Sequence, residues 1–140
     1  MAGESNLIIY AGQGLDATTC QWRWLIKETH LDPGTPVDLT GYTARAMIRS
    51  TLTQVGAPLA TWTTENGKIF LGGVAGTFGL SVGDLETSAL WSSALAPHGT
   101  VNGRAAFLLG HWDFELVPPT AAVRRLLQGL AIIVPEVTRP

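Results

Sequence analysis

The chain has 140 residues, with nine Lys and Arg against eleven Asp and Glu for a formal net charge of −2. That length supports a single domain, residues 1–140, whose core needs no metal or disulfide. The near-neutral balance lacks the electrostatic footprint of a nucleic-acid or anionic-membrane binder, and the lone Cys20 excludes an intrachain disulfide and a thiolate zinc set. Charged residues make up only 14% of the chain, against about 25% in ordinary soluble domains. A small domain so short of charge either packs unusually well or hides part of its surface against neighbours.

The opening segment has no basic stretch followed by a long apolar one, so no signal peptide is expected, and no apolar run is long enough for a membrane helix. Gly12 and Gly14 in "AGQGLD" are followed by no P-loop lysine and read as a flexible join. In "TTCQWRWLIK", Cys20, Trp22, Trp24 and Ile26 alternate with Gln21, Arg23 and Lys27, the pattern of a half-buried strand. Asp32-Pro33-Gly34 then makes a tight turn into "GTPVDLTGYTARAMIRS". There Tyr42, Ala44, Ala46 and Ile48 oppose Thr43, Arg45, Met47 and Arg49, again one strand with one face on a core.

Asn66-Gly67, between "LATWTT" and "KIFLGG", predicts a hairpin closed by a type I′ turn. The segment "SVGDLETSALWSSAL" predicts one short helix near 84–91, capped by Asp84 and with Leu85, Ala89 and Leu90 as its apolar stripe. The following stretch, 92–109, looks irregular yet carries Leu95, Val101, Phe107, Leu108 and Leu109 with only Arg104 charged. Either it folds back over the domain or it is contact surface for another subunit. In "GHWDFELV", Trp112, Phe114 and Leu116 alternate with His111, Asp113 and Glu115. After Pro118-Pro119, the strand "VRRLLQGLAIIV" is apolar on both faces beyond Leu126, so it is central in its sheet or covered by a partner; Pro135 stops it. About eight short strands with one helix predict an all-β fold, an antiparallel β-sandwich of jelly-roll or immunoglobulin-like type with short terminal arms.

Chemistry is sparse. His30, His98 and His111 lie far apart and at no ligand spacing, so no metal site is expected. Asp113 and Glu115 share a strand face but read as a solvated face opposite Trp112 and Phe114, not as a glycosidase pair. Cys20 sits among tryptophans as a small hydrophobe, and no serine occupies a nucleophile elbow. No catalytic residue, cofactor or small-molecule substrate is expected. The tryptophans fit strand periodicity and core packing; the other reading is a carbohydrate-binding platform built on Trp91 or Trp62.

Three segments carry a resemblance: "GTPVDLTGYTARAMIRS", "TWTTENGKIFLGGVAGTFGLSV" and "WDFELVPPTAAVRRLLQGLAIIVPEVTR". In this order they resemble a family of small tailed-phage virion proteins, which share a "PVDLTGYT" corner, a strand ending "IR", a "TxENG-I" hairpin and a final "PEVTR". The resemblance spans roughly 20–84 and 111–139. It implies a scaffold in which Val37 and Leu39 plug the end of the fold, Gly41 turns the corner, and Tyr42 starts the next strand with its hydroxyl free to bond nearby backbone. This chain departs from the family by an insertion around 95–108, which places a subunit-contact surface at Trp91, Leu95, Pro97, His98, Val101 and Phe107. The implied function is that of a cement or decoration protein of a short-tailed phage. It would be made in the host cytoplasm and held as a homodimer on the capsid exterior, against the major capsid protein. A tail or baseplate component is the alternative.

Overall fold

The computed structural model describes residues 3–4, 6–13, 15–16, 23–25, 37–51, 56–120 and 122–135. The fold is all-β, with eleven strands and one short helix among these residues. The larger sheet has seven strands: β1 (Gly3–Glu4), β2 (Leu7–Tyr10), β5 (Thr43–Arg49), β6 (Ala60–Thr63), β9 (Ala96–Val101), β10 (Arg104–Val117) and β11 (Arg124–Val134). The smaller has four: β3 (Leu15–Asp16), β4 (Arg23–Leu25), β7 (Ile69–Leu71) and β8 (Thr77–Val82). The count exceeds the expected eight because several strands are only two or three residues long, below what hydrophobic alternation can register. The strand expected over Cys20 to Lys27 has its Arg23–Leu25 backbone in β4; its side chains, and the Asp32-Pro33-Gly34 turn, lie outside the described residues.

The long strands β10 and β11 are the spine. They pair antiparallel from Phe107↔Ile133 to Leu116↔Arg124, with register shifts at Leu108/Gly110 and Phe114/Glu115. The other edge of β10 is shared, β9 taking 104–108 and β5 taking 111–117. The free edge of β11 receives β1 and β2, both parallel to it. The expectation of a purely antiparallel fold is corrected here, because the chain's first strands return to its last one with the whole domain as the crossover. Neighbours on both edges make β11 central in its sheet, and only its last residues, Ala131 to Val134, are buried on both faces.

Alternation places the core. Ala44, Ala46 and Ile48 of β5, Trp112, Phe114 and Leu116 of β10, and Ala131 and Ile133 of β11 are all buried on one face. Phe78, Leu80 and Val82 of β8 join the same cluster, and the Phe78 and Phe114 rings meet at a centroid distance of 4.7 Å. Trp62 and Phe114 are fully buried, each removing a large aromatic area from water.

Two Asn-Gly pairs behave differently. Asn66-Gly67 is not a type I′ hairpin: β6 pairs with β5 in the large sheet while β7 pairs with β8 in the small one. The turn therefore carries the chain between sheets. Asn66 builds it with its side chain, Oδ1 accepting from the Thr63 and Lys68 amides and Nδ2 donating to the Thr61 carbonyl, and only Gly67 has positive φ. The type I′ turn occurs instead at Asn102-Gly103, with φ of 51° and 78°, joining Val101 to its partner Arg104. The segment expected to be irregular over 92–109 is thus mostly the β9–β10 hairpin.

The helix α1 (Asp84–Ala89) also differs from expectation. Its N-cap is Gly83 rather than Asp84, whose carboxylate accepts from the Leu85 amide. Of the expected stripe, Leu85 is 83% exposed and Ala89 is exposed, while Leu90 packs against the core at the helix end; the buried residue within the helix is Thr87. The Thr87 hydroxyl donates to the Gln13 and Asp84 carbonyls and so ties the helix to the chain leaving β2. This short helix is placed by that polar tie together with Leu90, which packs against the core at its C-terminal end.

A candidate groove and contact surface

At the expected corner, the Val37, Leu39 and Tyr42 side chains pack inward around a tight turn at Gly41. Leu39 is buried, Val37 and Tyr42 pack against the core, and the Tyr42 amide donates to the Leu39 carbonyl across a turn with Gly41 at φ 82°. The Thr40 hydroxyl and amide both donate to Asp38 Oδ1 and hold its carboxyl below the ordinary carboxylate value. The Tyr42 hydroxyl makes no hydrogen bond among the described residues.

The six expected contact residues divide. Trp91, Leu95 and Phe107 fold back against the core, Trp91 meeting Phe107 edge-on at 4.8 Å. Val101 joins a second apolar cluster with Ala106, Ile132, Val134 and the partly buried Ile8, Tyr10 and Leu130. That cluster lies on the second face of the large sheet, where the β9–β10 hairpin curls over the end of β2 and β11. The Asn102 amide donates to the Tyr10 hydroxyl at 3.3 Å and Arg104 donates to the Pro135 carbonyl, fastening the curl. Pro97 and His98 are left exposed, on a strand exposed at every position but its last. Pro97 is tolerated because, among the described residues, β9 is paired only with β10, and an edge strand has no need of every N–H.

Gly110 makes the bend in β10 possible. It is buried where β5 gives way to β9, and a Cβ there would lie 2.1 Å from the Arg49 carbonyl oxygen. Only glycine admits the β5 backbone so closely.

The outer face of β5, β10 and β11 holds a groove of about 750 Å³. Strand register sets its floor in rows: Met47, Asp113 and Gln128 lie side by side, and next to them Arg49, His111 and Leu130. Asn6 and Thr51 add to its rim. In the adjoining row Arg45 pairs with Glu115 at 2.9 Å, and Arg125 reaches Asp113 at 3.4 Å. Desolvation, with repulsion from Glu115, raises the Asp113 carboxyl above the ordinary carboxylate value, while Arg125, Arg45 and Arg49 pull it the other way. Arg49 donates to the Gly56 carbonyl at 3.0 Å and touches the Met47 sulfur, but forms no ion pair among the described residues. His111 is half-buried and has no hydrogen-bond partner among them.

Sequence reasoning found the alternation that exposes Arg45, Arg49, His111, Asp113 and Glu115, but not the groove. Two separate strand faces had to be laid side by side by long-range pairing. The two tryptophans considered as a sugar platform are not available for stacking as such: Trp62 is fully buried, its indole N–H donating to Glu86 Oε1, and Trp91 is half-buried against Phe107. Cys20 and His30 lie outside the described residues. Neither a scan against protein-family models nor a search of curated proteins returned a match.

Proposed function

We propose that this chain is a structural virion protein, a β-sandwich that cements a phage capsid from the outside. The observation that carries the reading is the β9 edge. It is a six-residue strand, exposed at five positions and without a charged side chain, held on a hairpin whose root is packed into the core through Trp91, Leu95 and Phe107. Edge strands of free-standing proteins are usually blunted by charge. This one offers Pro97, His98 and an edge left unpaired among the described residues, on a stiff support, as a passive contact arm requires. The low charge of the whole chain and exposed Leu59, Phe70, Val74 and Val123 support the same reading, as does the order of the resembling motifs.

In this reading the protein acts without chemistry. A preformed fold, as a homodimer, lies across adjacent major capsid subunits, and many symmetric copies make modest individual affinity sufficient. The test is co-sedimentation of purified protein with assembled capsids, beside immunogold labelling of intact virions. Label over the whole head, with binding abolished by Thr100→Lys on the exposed edge, is expected. Label confined to the tail would favour the baseplate alternative, and absence of label on virions would overturn both.

A further inference from the structure

We infer that the groove on the outer face of β5, β10 and β11 is a binding site for an acidic sugar residue, a single carboxylate carried on a polyhydroxylated ring. The inference is independent of the capsid reading. It starts from charge. The groove face and its adjoining row carry three arginines and two acids in a chain with only nine Lys and Arg in all. Arg45 and Arg125 are spent on Glu115 and Asp113. Arg49 is the cation left over, and it stands directly across the β5–β10 ladder from His111, whose ring has no partner among the described residues. One guanidinium beside one imidazole, on a concave wall, suits one oxyanion; the planar fork of arginine favours a carboxylate held by two parallel hydrogen bonds.

The rest of the wall selects for hydroxyls. Asp113, already held by Arg125, and Gln128 form the next row, and Thr51 and the Asn6 side chain, whose Oδ1 accepts from the Leu130 amide and whose Nδ2 can donate, stand at the rim, so acceptors and donors occur together. A simple anion would use only donors, and a fatty acid would need an apolar wall. A polyol uses both kinds. Met47 and Leu130 supply small apolar patches for the C–H face of a ring. The volume lies within the range of small-ligand clefts, roughly 300–1,000 Å³, and the groove is open, so an oligosaccharide could enter at one residue and continue outward.

The test is an amide-resolved NMR titration of the full chain with tetragalacturonic acid, beside maltotetraose and inorganic phosphate. Saturable shifts at Arg49, His111 and Gln128 with the acidic sugar are expected, with at least tenfold weaker responses to the other two. Arg49→Gln should weaken binding tenfold or more, whereas Arg45→Gln, outside the groove, should leave it unchanged. Should Arg49→Gln lose its fold with its bond to Gly56, His111→Ala serves instead, since His111 holds nothing in place, and severalfold weakening is expected. Equal binding of phosphate would overturn the proposal in favour of an unselective anion site. Equal binding of maltotetraose would refute the carboxylate anchor. No saturable shift, or shifts that grow with protein concentration alone, would refute the site, the latter because a second copy covers it.

Discussion

Replacing Gly110 with alanine tests the central packing claim. The added Cβ would stand 2.1 Å from the Arg49 carbonyl oxygen and 2.8 Å from its carbon, with the Ser50 Cα at 3.1 Å. All three are backbone atoms, those of Arg49 at the end of a strand held in a seven-pair ladder, so no side chain can rotate away. Overpacking costs about 1–3 kcal/mol, and an immovable neighbour puts this site at the upper end. Reduced freedom of the unfolded chain returns only about 0.4–1 kcal/mol. An unfolding entropy near 2.1 cal/mol/K per residue makes a net loss of ~2.5 kcal/mol a fall in Tm of about 8 °C for a chain this size. Thermal unfolding by circular dichroism measures it, and amide exchange should quicken first at Ile48 and Arg49. A Tm within 2 °C of the parent would refute the close approach and with it the account of how β5 and β9 share one edge.

Other expectations concern the turn, the helix and the acid of the groove. Asn102→Ala should lose about 1–2 kcal/mol, because it gives up the αL tolerance that φ 51° needs and the bond to the Tyr10 hydroxyl, while Asn102→Gly, which keeps the turn and loses only that exposed bond, should cost less by urea unfolding. Thr87→Val should cost about 1–2 kcal/mol by leaving the Gln13 carbonyl without its donor, and Thr87→Ser should recover most of it in the same assay. Asp113 has a raised carboxyl, so the folded state binds its proton more tightly than the unfolded state. Its ionised form therefore works against folding at neutral pH, and that penalty fades as pH falls through the raised value toward the ordinary 3.8. Asp113→Asn should accordingly match or exceed the parent in stability at pH 7 and lose that advantage at acid pH; a pH-independent difference would refute the assigned cause.

Period-two alternation alone determined which faces of β5 and β10 are buried, since a strand that turns Ala44, Ala46 and Ile48 inward must turn Arg45, Met47 and Arg49 outward. The loss of alternation beyond Leu126 marked β11 as central in its sheet or covered by a partner, and pairing on both of its edges makes it central. Local sequence could not separate two identical dipeptides. Asn66-Gly67 and Asn102-Gly103 have the same intrinsic turn preference, yet one crosses between sheets and the other closes a hairpin, because strand pairing outside the turn decides its geometry. The same holds for α1, whose orientation follows from a hydroxyl reaching a carbonyl 74 positions away. The groove is the clearest case. Arg49 and His111 are far apart in the chain, and neither carries a local signal; the ladder that sets them face to face arises only when β5 and β10 meet. Side-chain direction is a property of neighbouring residues, whereas the grouping of side chains into a site depends on contacts between distant segments, which only the tertiary fold supplies.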